Sequence, residues 1–208
     1  MTQQELFTTD VSLPPGMIYR AEFITVAEEA SLLKEIHALP LEEAKYKQFT
    51  AKRRIISYGG SYDFSSNQLL PASPLPLFLH PLRAQIAQWI GVADSQFVHA
   101  LIAEYTPGTQ LGWHRDVPEF EIVVGVSLGA PCRLRLRPYP PEKGRRDSQS
   151  VDLEPRSAYV LRGVARWGFS TASLPQKLCA IPLRFERAHG KQNCRIDGHG
   201  ASNLEGHP

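Results

Sequence analysis

A chain of 208 residues, 42% apolar and 21% charged, is long enough to bury a core without disulfides or a structural metal. No run approaches the roughly 20 apolar residues of a membrane helix, no basic stretch followed by an apolar run opens the chain, and Cys132, Cys179 and Cys194 form no CxxC pair, which argues for a reducing cytoplasm and against a zinc site. The net charge of +2 excludes little: residues 1–167 balance 18 Lys+Arg against 18 Asp+Glu, and the excess comes from five basic and three acidic residues after 167, so charge gives no support for a nucleic-acid partner.

Thr25 and Glu28 have capping-box spacing, and Ala27, Ala30, Leu33 and Ile36 then recur at helical intervals, which predicts a helix over Val26–His37, ended before Pro40. Residues 51–64 mix β-formers with Gly59-Gly60 and read as a strand and turn. A second helix is predicted from near Pro76 to Ile90, with Gly91 as its stop. From Phe97 the texture changes to short β-rich runs (FVHALIAEY, FEIVVGVSL, RLRLRPY, VDLEP, SAYVLRG) separated by turn-formers such as Pro107-Gly108 and Gly129-Ala130-Pro131. Two helices against such a series predict a β-sandwich or jelly roll with helices on one side. There is no internal repeat, and a monomer without a membrane partner is expected.

The string YTPGTQLGWHRDVPEFEIVVGVSLG carries the chemistry. His114 and Asp116 are two apart, so on an extended segment they project to one side. An imidazole and a carboxylate aimed at one point are two-thirds of a 2-His-1-carboxylate facial triad, which leaves positions open on iron. Alone, an HxD pair is more often a surface pair.

The order Tyr105, Pro107-Gly108, His114, Asp116, VVGVSLG, LEPRSAYVLRGVARW, preceded by LPPGMIYRAEFIT and RRIISYGGSYDF, resembles the AlkB-like Fe(II)/2-oxoglutarate dioxygenases across most of the chain. The resemblance implies an α+β fold, a double-stranded β-helix (jelly roll) with an N-terminal helical layer. It implies that His114 and Asp116 bind Fe(II) and that Tyr105 hydrogen-bonds 2-oxoglutarate, with O2 as oxidant. Ala103 stands where the family carries asparagine. The implied reaction is oxidation of a C–H bond coupled to 2-oxoglutarate decarboxylation. Its default substrate is an alkylated base in DNA or RNA; where the oxidised carbon is an N-methyl group, that carbon leaves as formaldehyde and the demethylated amine remains. Protein hydroxylation within the same fold, and an inactive remnant acting at most as a binding module, stay open.

The family also carries a second iron-binding histidine soon after the G-x-A-R-W turn, then a strand with two arginines that clamp the co-substrate carboxylates. After Trp167 this chain has neither. Residues 168–188 can, however, be written in permitted codons that, regrouped by one base, read F-Q-H-S-I-S-A-T-E-A-L-R-Y-S-I-T-F-R-T-R. Except at serine, leucine and arginine, whose first bases also vary, two bases of every shifted codon are fixed by the residues present, so the match is not adjustable at will. The histidine then stands opposite Thr171 and the arginines opposite Ala180 and Glu186. The expected organisation is one domain over 1–187, out of frame from about Gly168, and a tail over 188–208 without regular structure. The segment from Gly168, interrupted by Pro182, is expected to pair poorly.

Arg133, Arg135 and Arg137 alternate with Leu134 and Leu136 and share a strand face, which is either a solvated face or a phosphate-contacting stripe beside the site. Trp113 either stacks on a substrate base or closes the barrel mouth. His189, His199 and His207 read as bystanders in the tail, and Cys132 as a small apolar filler.

Overall fold

The computed structural model describes residues 13–46, 49–63, 68–106, 108–141, 147–175 and 183–188. A short strand β1 (Met17–Arg20) leads to helix α1 (Val26–His37). Both halves of its expected capping box are formed: the Thr25 hydroxyl accepts from the Glu28 N–H at 3.2 Å, and the Glu28 carboxylate accepts from the Thr25 N–H at 2.7 Å. The hairpin β2 (Glu42–Tyr46) and β3 (Phe49–Tyr58) follows, then β4 (Gly60–Asp63) and β5 (Gln68–Pro71). The strand and the Gly59 turn fall where the sequence predicts them, and a second strand, β4, follows the turn; Phe64 lies outside the described residues. A 3-10 turn at Leu77–Leu79 runs into α2 (His80–Ile90), which stops at Gly91 in the left-handed region, φ 73°.

The remaining elements are β6 (Phe97–Glu104), β7 (Leu111–His114), β8 (Phe120–Val126), β9 (Cys132–Pro138), β10 (Gln149–Leu153), β11 (Ala158–Leu161), a one-turn helix α3 (Gly163–Trp167), β12 (Phe169–Pro175) and β13 (Leu183–Ala188). They form a seven-stranded sheet in the order β1-β11-β8-β13-β6-β3-β2 and a four-stranded sheet in the order β10-β9-β12-β7; β4 and β5 make a separate ribbon. Every ladder is antiparallel. No helix of the described residues is long and apolar enough to cross a membrane.

Strand parity sorts the core into two layers. On β8, Ile122, Val124 and Val126 face the helices, packing with Leu32 and Ile36 of α1, Leu82 and Ile86 of α2, and Ala100 and Ile102 of β6. Val123 faces the other way, into a second core with Leu134 and Leu136 of β9, Val151 and Leu153 of β10, and Tyr159 and Leu161 of β11. Each fully buried side chain such as Ile36, Ile86 or Leu136 contributes about 1.5–3 kcal/mol. The helices thus cover one face of the large sheet and the small sheet covers the other, the sandwich expected for a jelly roll.

The expectation that the chain pairs poorly from Gly168 is overturned. Strand β12 lies between β9 and β7, and β13 takes a central place between β8 and β6. Ala188, placed in the tail by the sequence reading, is the last residue of β13; 189–208 lie outside the described residues. The physical reason is where Pro182 falls. It precedes the first residue of the strand, so its missing N–H removes no rung from the Leu183–Ala188 ladder. Leu183 and Phe185 preserve a period-two apolar pattern beyond it.

Candidate metal centre

His114 ends β7, the edge strand of the small sheet, and its cross-strand partner is Thr171 of β12, whose other neighbour is Leu136 of β9. These three residues form one row across the sheet. Leu136 is fully buried in the core between the sheets, so the row points inward and carries the imidazole into the sandwich near its rim. The His114 side chain is 28% exposed and that of Asp116, just beyond the strand end, 7%.

The hydrogen bonds orient the imidazole. His114 Nδ1 lies 2.8 Å from the Gly112 carbonyl, which can only accept, so Nδ1 carries the proton and Nε2 presents its lone pair in the neutral ring. Nε2 is 3.7 Å from Asp116 Oδ1 and 3.4 Å from Thr171 Oγ1. Two bonds of roughly 2.1 Å to one divalent ion span up to about 4.2 Å, so the nitrogen and the oxygen can share an ion. A backbone carbonyl fixing the far ring nitrogen is how ligating histidines are held.

The backbone that carries Asp116 is held by a residue the sequence did not single out. Arg166, on α3 and 3% exposed, donates from Nε to the Phe120 carbonyl at 3.0 Å and from Nη2 to the Val117 and Asp116 carbonyls at 2.6 and 3.3 Å. Its guanidinium also lies 4.3 Å from the Trp167 ring centroid. One planar fork therefore spans the loop from the ligand position to the start of β8. An Arg-Trp pair in a turn gives no sequence signal that it is buried.

The residues present fit an iron ion only in part. His114 and Asp116 supply two donors of the right types, but among the described residues no group of three His, Cys, Asp or Glu side chains could hold a metal. The third position around this pair is held by the Thr171 hydroxyl, a neutral and weak donor, itself buried. Tyr105 is buried immediately after β6, and the turn after it is closed by a 2.8 Å contact between the Thr106 and Thr109 hydroxyls. Of the two positions where the regrouped codons put arginine, Ala180 lies outside the described residues. Glu186 sits in β13 in register with Val123 and His99 and brings a residue of the wrong charge to clamp a dicarboxylate.

Trp113, one residue before His114, projects to the opposite face. Arg135 and Arg137 both approach its ring, with guanidinium carbons 5.0 and 4.4 Å from the centroid. Arg115 stacks on Tyr139 at 4.3 Å. Arg133 is matched by Asp152 through two hydrogen bonds of 2.7 and 2.9 Å, which hold the Asp152 carboxyl below its ordinary range. The three arginines do share a face, as read from their alternation. That face is the outer one, so neither they nor Trp113 line the space into which His114 points.

The family model of the 2OG-Fe(II) oxygenase superfamily matches residues 17–196. The chain is 26% identical over 178 residues, 75% of its length, to an "alkylated DNA repair protein ALKBH8 homolog" of Arabidopsis thaliana. Over 118 residues, 56% of its length, it is 30% identical to a "probable RNA/DNA demethylase ALKBH6" of Danio rerio. It spans about half of each of these relatives, 50% and 48%. The solved structure of OsALKBH1 superposes with a TM-score of 0.65 over 84% of this chain and 99% of that one, at 14% identity, a likeness of fold.

Proposed function

The chain belongs to the 2OG-Fe(II) oxygenase superfamily, and from that premise we propose that its domain is built to oxidise alkyl groups on nucleic-acid bases. In this reading Fe(II) is held by His114 and Asp116 and 2-oxoglutarate by Tyr105, and the chain as encoded is impaired. The observation that carries the reading is the approach of His114 Nε2 to Asp116 Oδ1, 3.7 Å, at the inner rim of a sandwich of this family. The substrate class rests on the names of the relatives, one a DNA repair protein and one an RNA/DNA demethylase. Thr171 at the third position supports the impairment: a neutral hydroxyl beside one imidazole and one carboxylate binds a divalent ion less firmly than a second imidazole would.

The test compares two proteins with Fe(II), 2-oxoglutarate and N-methylated single-stranded oligonucleotides: the chain as encoded, and the chain from a gene with one T inserted after the Gly168 codon. Succinate and formaldehyde are measured together. The first protein should yield neither above background and the second both. Succinate from a peptide substrate, with no formaldehyde from any methylated oligonucleotide, would refute the substrate class. Turnover by the chain as encoded would refute the impairment.

A further inference from the structure

We infer that position 171 is the third corner of the metal centre, and that the coding sequence after Trp167 has slipped by one base, so that this chain keeps the fold and lacks the third metal ligand. The inference rests on the reading of His114 and Asp116 given above. It deepens that reading by locating the residue whose identity decides metal binding.

Two lines meet at position 171. The first is codon arithmetic on the sequence from Gly168, which permits a histidine opposite Thr171 when the Ser170 codon ends in C, without reference to any coordinate. The second is sheet geometry. Thr171 is the register partner of His114, is buried, and brings Oγ1 to 3.4 Å from His114 Nε2, the nitrogen left with its lone pair. Directly opposed residues on one face of an antiparallel pair have Cβ atoms about 4.5–5.5 Å apart, close enough for two imidazoles to reach one ion. A histidine one residue earlier or later in β12 would project to the other face, where Trp113 and its arginines lie. Of the positions near it in this strand, 171 is the one that faces the His114–Asp116 pair.

The same slip leaves the fold largely intact because it conserves what the sheets require. Position 172, buried in this chain, is small in either frame, alanine here and serine in the shifted reading. Positions 183 and 185 are leucine and phenylalanine here, isoleucine and phenylalanine in the shifted reading. The central strand therefore keeps its alternating apolar residues while histidine is lost at 171 and arginine at 180 and 186. A slip of this kind removes ligands before it removes strands.

The test uses Co(II) alone as the probe, with affinity read by calorimetry and by the cobalt absorption bands, so no turnover is needed. Thr171→His in the chain as encoded should bind Co(II) at least about 100-fold more tightly, beyond the roughly 10- to 100-fold typical of changes to outer-shell partners. The frame-restored chain should match it, and adding His114→Ala should erase the gain in either background. Thr171→Asp, nearer threonine in size, should also gain affinity and serves if the histidine variant does not fold. The inference is overturned if the frame-restored chain or a folded Thr171 variant binds no more tightly than the chain as encoded. It is equally overturned if the chain as encoded already binds with the restored chain's affinity. A gain in Co(II) affinity without formaldehyde release from methylated oligonucleotides would sink the proposed substrate class and leave this inference standing.

Discussion

Arg166→Met removes the guanidinium that binds the loop after Asp116 and keeps much of the side-chain volume. Three backbone carbonyls lose a charged donor: Phe120 in a buried setting, and Asp116 and Val117 in partly buried ones. A buried acceptor left unsatisfied costs about 1–3 kcal/mol. The two partly buried carbonyls recover part of the loss from water. Cation–π stacking on Trp167 adds about 0.5–2 kcal/mol, and the relief of desolvating a guanidinium offsets some of the total. The net expectation is a loss of about 3–5 kcal/mol, a large single-site effect. At roughly 2–4 °C per kcal/mol for a chain of this size, Tm should fall by about 10 °C or more. Urea denaturation and thermal circular dichroism measure both quantities. Arg166→Lys, which reaches fewer carbonyls with one ammonium, should fall between. A loss under about 1 kcal/mol for the methionine variant would mean that the loop is held by something else and that Arg166 does not position Asp116.

Gly125 on β8 lies opposite Tyr159 of β11, and a Cβ there would collide with the Tyr159 ring. Gly125→Ala should therefore cost about 1–3 kcal/mol and Tyr159→Leu should restore part of it, a coupling of about 0.5–3 kcal/mol in a double-mutant cycle; strictly additive losses would contradict the collision. Thr25→Ala should cost about 1 kcal/mol at neutral pH through loss of the helix cap, read by urea denaturation. The Glu28 carboxyl is held below its ordinary range, first by the Thr25 backbone N–H and then by the Thr25 hydroxyl. Its contribution is present above the unfolded-state pKa and fades as pH falls through the lower folded-state value. The gap between wild type and Thr25→Ala should accordingly narrow on acidification through the carboxylate range, and a gap that widens there would refute the capping box as its source.

Elements with a local signature were legible in the sequence. Helix α1 is announced by its capping box and apolar spacing, α2 by its glycine stop, and β6, β8, β9, β10 and β11 by apolar runs between turn-formers. The short strands β1, β2, β5 and β7 were not. Four or five residues such as MIYR or LGWH carry no period long enough to read, and their state is set by the strand they pair with. The same limit explains Trp113 and the three arginines. Their sharing of a face follows from alternation, but whether that face points inward depends on the register against β12, which a sequence does not display.

Strand β13 shows a different kind of failure. A proline in an apolar run argued against a central strand, and the argument holds for a proline inside the ladder. The run simply starts one residue later, and a boundary error of that size reverses the conclusion. Position 171 shows the converse. Nothing about a threonine between Ser170 and Ala172 marks it as part of a metal centre, and no periodicity or charge pattern could. It becomes visible only when the fold sets it opposite His114, or when the codons beneath the residues are regrouped. Side-chain chemistry at a site is specified one residue at a time, whereas a strand needs only alternation, so a one-base slip can erase the first and spare the second. Hydrogen exchange on the two frames gives this asymmetry a direct measure. Amides of β13 paired to β6 and β8 should be protected in both proteins, while Co(II) should slow exchange around His114 and position 171 in the restored frame alone. Rapid exchange throughout 183–188 in the chain as encoded would show that the strand too is lost, and that the slip reaches the fold.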